Sequence, residues 1–214
     1  GDSVWDKLAE QPGRILDGSN LDVACDHVHR YGEDVRLLTD LGVDAYRLSV
    51  AWPRVLPEGT GTVSRDGIGF YDRLVDALLE RGIDPWVTLY HWDLPLALHQ
   101  RGGWPNRDVV SWFVEYVEAV HAALGDRVTH WGTLNEPWCS AWLGYGSGEH
   151  APGERDHERA WPAMHHLLLA HGTATRRLRE LSDDRADVGI VLNLFGVHPA
   201  DDATPAVKQA VEHI

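Results

Sequence analysis

The sequence predicts an α/β fold in which parallel strands alternate with helices. Four short runs rich in β-branched and aromatic residues are typical of strands, and longer runs with helical apolar spacing separate them. The predicted strands are residues 45–50, 85–91, 128–135 and 187–193. Regular alternation of this kind implies that right-handed crossovers join the strands into one parallel sheet.

The helices predicted around these strands cover residues 30–41, 68–81, 108–124 and 158–181, and a further one opens at Pro205. Gly42, Gly82 and Gly125 each follow a helical run, where a glycine with positive φ can close the last turn. Residues 1–26 are rich in Gly, Asp and Asn, and we expect them to form a loop.

Polar or aromatic residues stand at the C-terminal end of every predicted strand. They are Arg47 and Ser49, then His91, Trp92 and Asp93, then Asn135 and Glu136, and finally Asn193. Burying such groups costs several kcal/mol unless they are paired, so their recurrence at neighbouring strand ends predicts a polar pocket. The fold we expect is a partial (β/α)8 TIM barrel, and in such barrels the reactive groups lie at this edge.

The length of 214 residues is ample for a domain, yet a complete (β/α)8 barrel needs about 250. We predict that residues 1–214 form a single incomplete barrel segment, comprising about strands 2 to 5 with their helices. The first strand and the C-terminal strands are expected to be missing. Four or five βα units leave two unpaired sheet edges, which makes the remaining part of the barrel an expected partner.

Charge and cysteine content narrow the class of protein. The net charge of -14 argues against a nucleic-acid partner, because phosphate contacts need clustered Lys and Arg. No apolar run is long enough to predict a membrane span. Cys25 and Cys139 are too few for a disulfide framework, and the first residues lack a signal-peptide pattern. A cytoplasmic location is the expectation.

The most specific motif is Thr-Leu-Asn-Glu-Pro at residues 133–137, in which a carboxyl group and an amide follow an apolar strand. Here the sequence resembles glycoside hydrolase family 1, whose acid/base motif has this form. The resemblance continues through WD at 5–6, DVACDH at 22–27, YRLSVAWPR at 46–54, TLYHWDLP at 88–95, GGW at 102–104 and GYGSGEHAPG at 144–153. It therefore covers nearly the whole chain, with the motifs in the same order.

The resemblance implies a role for each residue that matches a motif. Glu136 would protonate the departing glycosidic oxygen and later deprotonate the attacking water. Asn135 would bind the sugar 2-hydroxyl, His91 would bind another hydroxyl, and Trp92 would form part of the pocket wall. Arg47 would lie near the nucleophile and keep it ionised. Cys139 and Asn193 would lie toward the leaving group.

The resemblance also implies a retaining mechanism, which needs a second carboxyl group as nucleophile. The family carries it in a Glu-Asn-Gly segment, and this sequence contains none. We therefore expect the nucleophile on the missing C-terminal part or on a complementing chain, and an isolated chain that is inactive. The implied substrate is a β-glucoside or a related small oligosaccharide, with no metal or organic cofactor.

Two other functions stay open at this point. One is a catalytically inactive half-barrel that serves as a sugar-binding or interaction module. The other is a 6-phospho-β-glycosidase, which would need basic phosphate contacts beyond this chain. Each site residue also has a purely structural interpretation: Glu136 would be a solvated or salt-bridged residue at a strand end, His91 a core histidine with its hydrogen bonds satisfied, and Arg47 a partner in a structural ion pair.

Overall fold

The computed structural model describes residues 1–194, 196, 198–200 and 202–211. In this part of the chain, four parallel strands form one sheet in sequential order. They are β1 (Ala45–Ser49), β2 (Asp84–Tyr90), β3 (His130–Asn135) and β4 (Asp187–Val191). All four predicted strands are confirmed, with ends that differ by at most two residues. The sheet and its helices form a partial (β/α)8 barrel, as predicted.

Helices connect and cover the strands. They are α1 (Val4–Ala9), α2 (His27–Leu41), α3 (Trp52–Val55), α4 (Arg65–Leu79), α5 (Leu96–Gln100), α6 (Val109–Leu124), the π-helix Cys139–Gly146, α7 (His157–Leu181) and α8 (Pro205–Val211). The predictions for α2, α4, α6, α7 and the start of α8 are confirmed, and residues 212–214 lie outside the described part. Of the helices described, none is both long and apolar enough to cross a bilayer.

The expectation that residues 1–26 form only a loop is wrong, because α1 lies within them. Ser3 caps this helix, and its Oγ accepts hydrogen bonds from the backbone N–H groups of Trp5 and Asp6. The Asp6 carboxylate in turn accepts the Ser3 N–H at 2.7 Å. This reciprocal capping box stabilises a helix of only six residues, too short to give a clear apolar period.

Two of the three glycine predictions are confirmed. Gly42 and Gly82 have φ values of 70° and 71°. Gly125 instead has φ -70°, and its N–H donates to the carbonyl of His121 in ordinary right-handed geometry. A Cβ at Gly125 would lie 2.4 Å from Nε2 of His121, so close approach of the imidazole favours glycine there.

The hydrophobic core lies between one face of the sheet and the helices α4, α6 and α7. Tyr116 of α6 is buried there, and its hydroxyl lies 2.8 Å from the carbonyl oxygens of both Val50 and Leu89. The opposite face of the sheet, which includes Arg47 and Trp86, lines an open cavity of about 580 Å³. Polar side chains at the C-terminal ends of the strands can therefore meet on this inner face.

Candidate active site

One guanidinium joins the first three strands on the inner face of the sheet. Nη2 of Arg47 donates to Oδ1 of Asn135 at 2.6 Å, and Nε donates to Oγ1 of Thr88 at 2.9 Å. Asn135 is only 3% exposed and Thr88 only 2%, so both polar groups have a partner despite their burial. Arg47 thereby fixes the orientation of the Asn135 amide.

Glu136 follows directly at the end of β3, in an unusual backbone conformation. Its φ of 43° lies in the left-handed region, which is uncommon for a residue with a side chain. The backbone is held on both sides, because the Glu136 N–H donates to the Val191 carbonyl at 2.8 Å and its own carbonyl accepts the Cys139 N–H at 2.9 Å. The chain therefore turns sharply and leaves the half-buried Glu136 at the strand edge.

The loop after β2 is attached to the same strand edge. Trp92 also has positive φ, at 82°, and its indole Nε1 donates to the Asn135 carbonyl at 2.9 Å. The His91 and Trp92 rings meet edge to face, with centroids 5.1 Å apart. On the other side, Nε1 of Trp5 in α1 donates to the Trp92 carbonyl at 3.1 Å. The N-terminal helix thus holds Trp92 in place.

Two histidines are electrostatically coupled to Glu136. Burial lowers the pKa of His91, the charge of Arg47 lowers it further, and the Glu136 carboxylate acts in the opposite direction. Burial likewise lowers the pKa of His150, against the charges of Glu149 and Glu136. Neutral imidazole at neutral pH can both donate and accept a hydrogen bond, which suits binding of sugar hydroxyls.

The Cys139 thiol lies beside the Glu136 carboxylate, and its Sγ–H donates to Oε2 at 3.3 Å. Burial raises the pKa of Cys139 to about 11, and the hydrogen bond to Glu136 raises it as well, so the thiol remains protonated. Nδ2 of Asn193, which follows β4, lies 4.0 Å from the same sulfur. These two residues connect the end of β4 with the end of β3.

The structure brings all seven predicted site residues to one edge of the sheet. They are Arg47, His91, Trp92, Asn135, Glu136, Cys139 and Asn193. Their proposed roles toward a substrate stay predictions, since geometry alone does not assign them.

Sequence reasoning missed two neighbours of this edge. His150, whose ring lies 5.0 Å from that of Trp92, stands inside the motif at residues 144–153 but was given no role. Asp93 was noted only as a polar strand-end residue. Its Oδ1 is buried with no hydrogen-bond partner among the described residues. Burial raises the pKa of Asp93 to about 7, although neighbouring backbone N–H groups and the charge of Arg54 lower it.

Fold and site together define a partial (β/α)8 barrel with carboxyl, amide, imidazole and indole groups at the C-terminal edge of its sheet. The sequence profile described as glycosyl hydrolase family 1 matches residues 1–214. The chain belongs to glycosyl hydrolase family 1.

Several relatives match nearly all of this chain with about half of their own length. Beta-glucosidase A of Thermotoga maritima is 49% identical over 208 residues, which are 97% of this chain and 46% of that protein. Beta-glucosidase A of Acetivibrio thermocellus is 47% identical over 210 residues, covering 98% and 47%. The chain thus spans slightly less than half the length of these relatives.

Solved structures are similarly close. The beta-glucosidase from Thermotoga maritima in complex with glucoimidazole superposes with a TM-score of 0.96 at 47% identity, covering 100% of this chain and 48% of that one. The same enzyme in complex with castanospermine gives a TM-score of 0.92 at 49% identity, covering 94% and 46%. The described fold therefore matches about half of a family 1 barrel.

Proposed function

We propose that this chain supplies the acid/base part of a retaining β-glycoside hydrolase of the β-glucosidase type. The observation that carries the proposal is the position of Glu136 at the C-terminal edge of the sheet, directly after the buried Asn135, whose amide accepts a hydrogen bond from Arg47. Membership in glycosyl hydrolase family 1 and relatives named beta-glucosidases support the same activity.

In the proposed first step, Glu136 transfers its proton to the glycosidic oxygen while that oxygen leaves the anomeric carbon. A second carboxylate simultaneously forms a bond to the anomeric carbon. In the second step the Glu136 carboxylate takes a proton from water, the water oxygen bonds to the anomeric carbon, and the second carboxylate departs. We infer that the second group comes from the remaining barrel strands, on the same polypeptide or on a second chain.

The contacts around Glu136 support roles for its neighbours. Because Arg47 occupies Oδ1 of Asn135, the amide Nδ2 is the group available to donate to the sugar 2-hydroxyl. We propose that neutral His91 binds another hydroxyl of this sugar and that Trp92 forms the adjacent wall. Arg47 keeps the nucleophile ionised by its charge.

The test uses the polypeptide that contains this chain together with the remaining barrel strands. We expect that Glu136→Gln lowers hydrolysis of an alkyl β-glucoside by about 100-fold or more, in the range of general acid/base catalysis. With 2,4-dinitrophenyl β-glucoside the leaving group needs no proton, so azide should restore turnover by attacking the glycosyl-enzyme. Initial rates with and without azide measure both effects.

The matched control is Glu33→Gln, which removes an exposed carboxylate on α2 and should leave both rates unchanged. Full activity of Glu136→Gln on the alkyl glucoside would contradict the acid/base assignment. Turnover by residues 1–214 alone would contradict the inferred origin of the nucleophile. Sugar binding without turnover by the complete barrel would favour the inactive binding module instead.

A further inference from the structure

We propose that Cys139 is a positioning residue of this site, whose thiol holds Oε2 of Glu136 so that Oε1 is the oxygen that exchanges the catalytic proton. The inference rests on the proposed acid/base role of Glu136. It gives the two carboxylate oxygens different roles, since Oε2 binds the thiol and Oε1 exchanges the proton. It also assigns Cys139 to orienting Glu136 rather than to contacting the sugar.

Two hydrogen bonds tie the same pair of residues together. The Cys139 N–H donates to the Glu136 carbonyl at 2.9 Å, and the Cys139 Sγ–H donates to Oε2 of Glu136 at 3.3 Å, a normal length for sulfur. Cys139 is also the first residue of the π-helix, so its position is set by regular structure. The backbone of Glu136 is held in the left-handed region, and the thiol contact adds a second restraint at the carboxylate end of the same residue.

The thiol acts as donor and the carboxylate as acceptor. Cys139 is 3% exposed, and burial raises the pKa of its thiol to about 11, which keeps the sulfur protonated near neutral pH. The Asn193 amide, 4.0 Å away, directs a donor toward the same sulfur and leaves the S–H hydrogen to Glu136. The order of donation is therefore Asn193 to Cys139 to Glu136.

Other titratable groups face Glu136 from neighbouring elements, but no hydrogen bond joins them to its carboxylate in the described part of the chain. His91 approaches from the end of β2, and His150 from the loop after the π-helix. Within the described ranges, the one side chain that hydrogen-bonds the Glu136 carboxylate is that of Cys139. A donor on Oε2 stabilises the ionised carboxylate, so its removal must favour the protonated form.

The experiment compares four variants of the complete polypeptide: Cys139→Ala, Cys139→Val, Cys139→Ser and Cys25→Ala. With an alkyl β-glucoside, the alkaline limb of the kcat/KM profile should move up by about half a pH unit in the Ala and Val variants, as expected for losing one weak donor. Cys139→Ser keeps a donor and should retain the parental limb. Cys25 is exposed and serves as the control for loss of a cysteine.

Val fills the space of the thiol, so it reports on the donor even if the smaller alanine weakens folding. An unchanged alkaline limb in a folded, active Val variant would overturn the proposal while leaving the glycosidase function intact. If the parent protein shows no hydrolysis, the proposed function fails. In that case the contact is tested by itself, by following the ¹³C signal of the Glu136 carboxyl group as a function of pH. The Glu136→Gln variant identifies this signal. Equal titration midpoints in the parent and in Cys139→Val would overturn the role of Cys139.

Discussion

At the scale of single residues, Arg47 shows how one side chain organises the site. Its planar guanidinium has donors at fixed angles, and two of them reach Asn135 on β3 and Thr88 on β2 from a position on β1. Both acceptors are buried, so without Arg47 each would lose this hydrogen-bond partner. Arg47 therefore both orients Asn135 and places a positive charge in the site.

We predict that Arg47→Lys lowers kcat/KM for β-glucoside hydrolysis by about 10- to 100-fold. Lysine keeps the positive charge but has a single ammonium group in place of the planar guanidinium, so it cannot donate hydrogen bonds to Asn135 and Thr88 together. Steady-state kinetics on the complete polypeptide provide the measurement. Arg36→Lys, on exposed α2, is the matched control, and equal losses in both variants would refute a specific role for Arg47.

The same scale shows what the sequence can and cannot reveal about the site. Arg47, His91 and Asn135 were predictable because a polar residue at a strand end is costly unless it has a partner there. His150 was not, because it lies in a long loop whose path depends on Trp5 and Trp92, distant in sequence. The thiol contact to Glu136 was likewise hidden, since it depends on the π-helix that begins at Cys139.

At the scale of elements, α6 is joined to the sheet by more than apolar packing. The hydroxyl of Tyr116 lies within hydrogen-bond distance of two carbonyls, those of Val50 after β1 and Leu89 in β2, and the ring is completely buried beside Trp52. This hydroxyl therefore holds the ends of two strands that carry site residues.

We predict that Tyr116→Phe lowers the free energy of unfolding by about 1 to 2 kcal/mol. The ring and its packing are retained, whereas the single buried O–H donor that the carbonyls of Val50 and Leu89 share is lost. Urea unfolding followed by tryptophan fluorescence would measure the difference. Tyr31→Phe on half-buried α2 is the control, and a loss no larger at Tyr116 than at Tyr31 would contradict the argument.

Element length decides how well the sequence predicts each helix. In α4 and α6 the apolar period repeats over 15 and 16 residues, so the helices were predictable. In α3 and α5, with 4 and 5 residues, less than two turns form and no period develops. The π-helix was also missed, because its wider turns shift side chains off the spacing of an α-helix.

At the scale of the whole molecule, the sheet has the sequential parallel order of a barrel, but the described part of the chain contains only four of the eight strands. Trp86 lies on the inner face and is 48% exposed, with its ring stacked on that of His130 at 4.5 Å. In a closed barrel such inward side chains fill the interior. We therefore propose that further strands, outside this chain, pair with β1 and β4 and bury this face.

The final prediction concerns the stability of the whole fold as a function of pH. Burial lowers the pKa of five histidines: His91, His99, His121, His150 and His171. In the unfolded chain histidines bind protons near pH 6.5, so the unfolded state takes up more protons, and stability is lost as the pH falls below that value. Asp93 acts oppositely, because its pKa is raised to about 7 and its contribution is lost as the pH rises through that value.

We expect the histidines to dominate by number, so the urea midpoint should be lower at pH 5.5 than at pH 7.5. His171→Gln should reduce this difference, whereas His165→Gln, on the exposed side of α7, should not. A midpoint that rises on acidification would show that Asp93 outweighs the imidazoles.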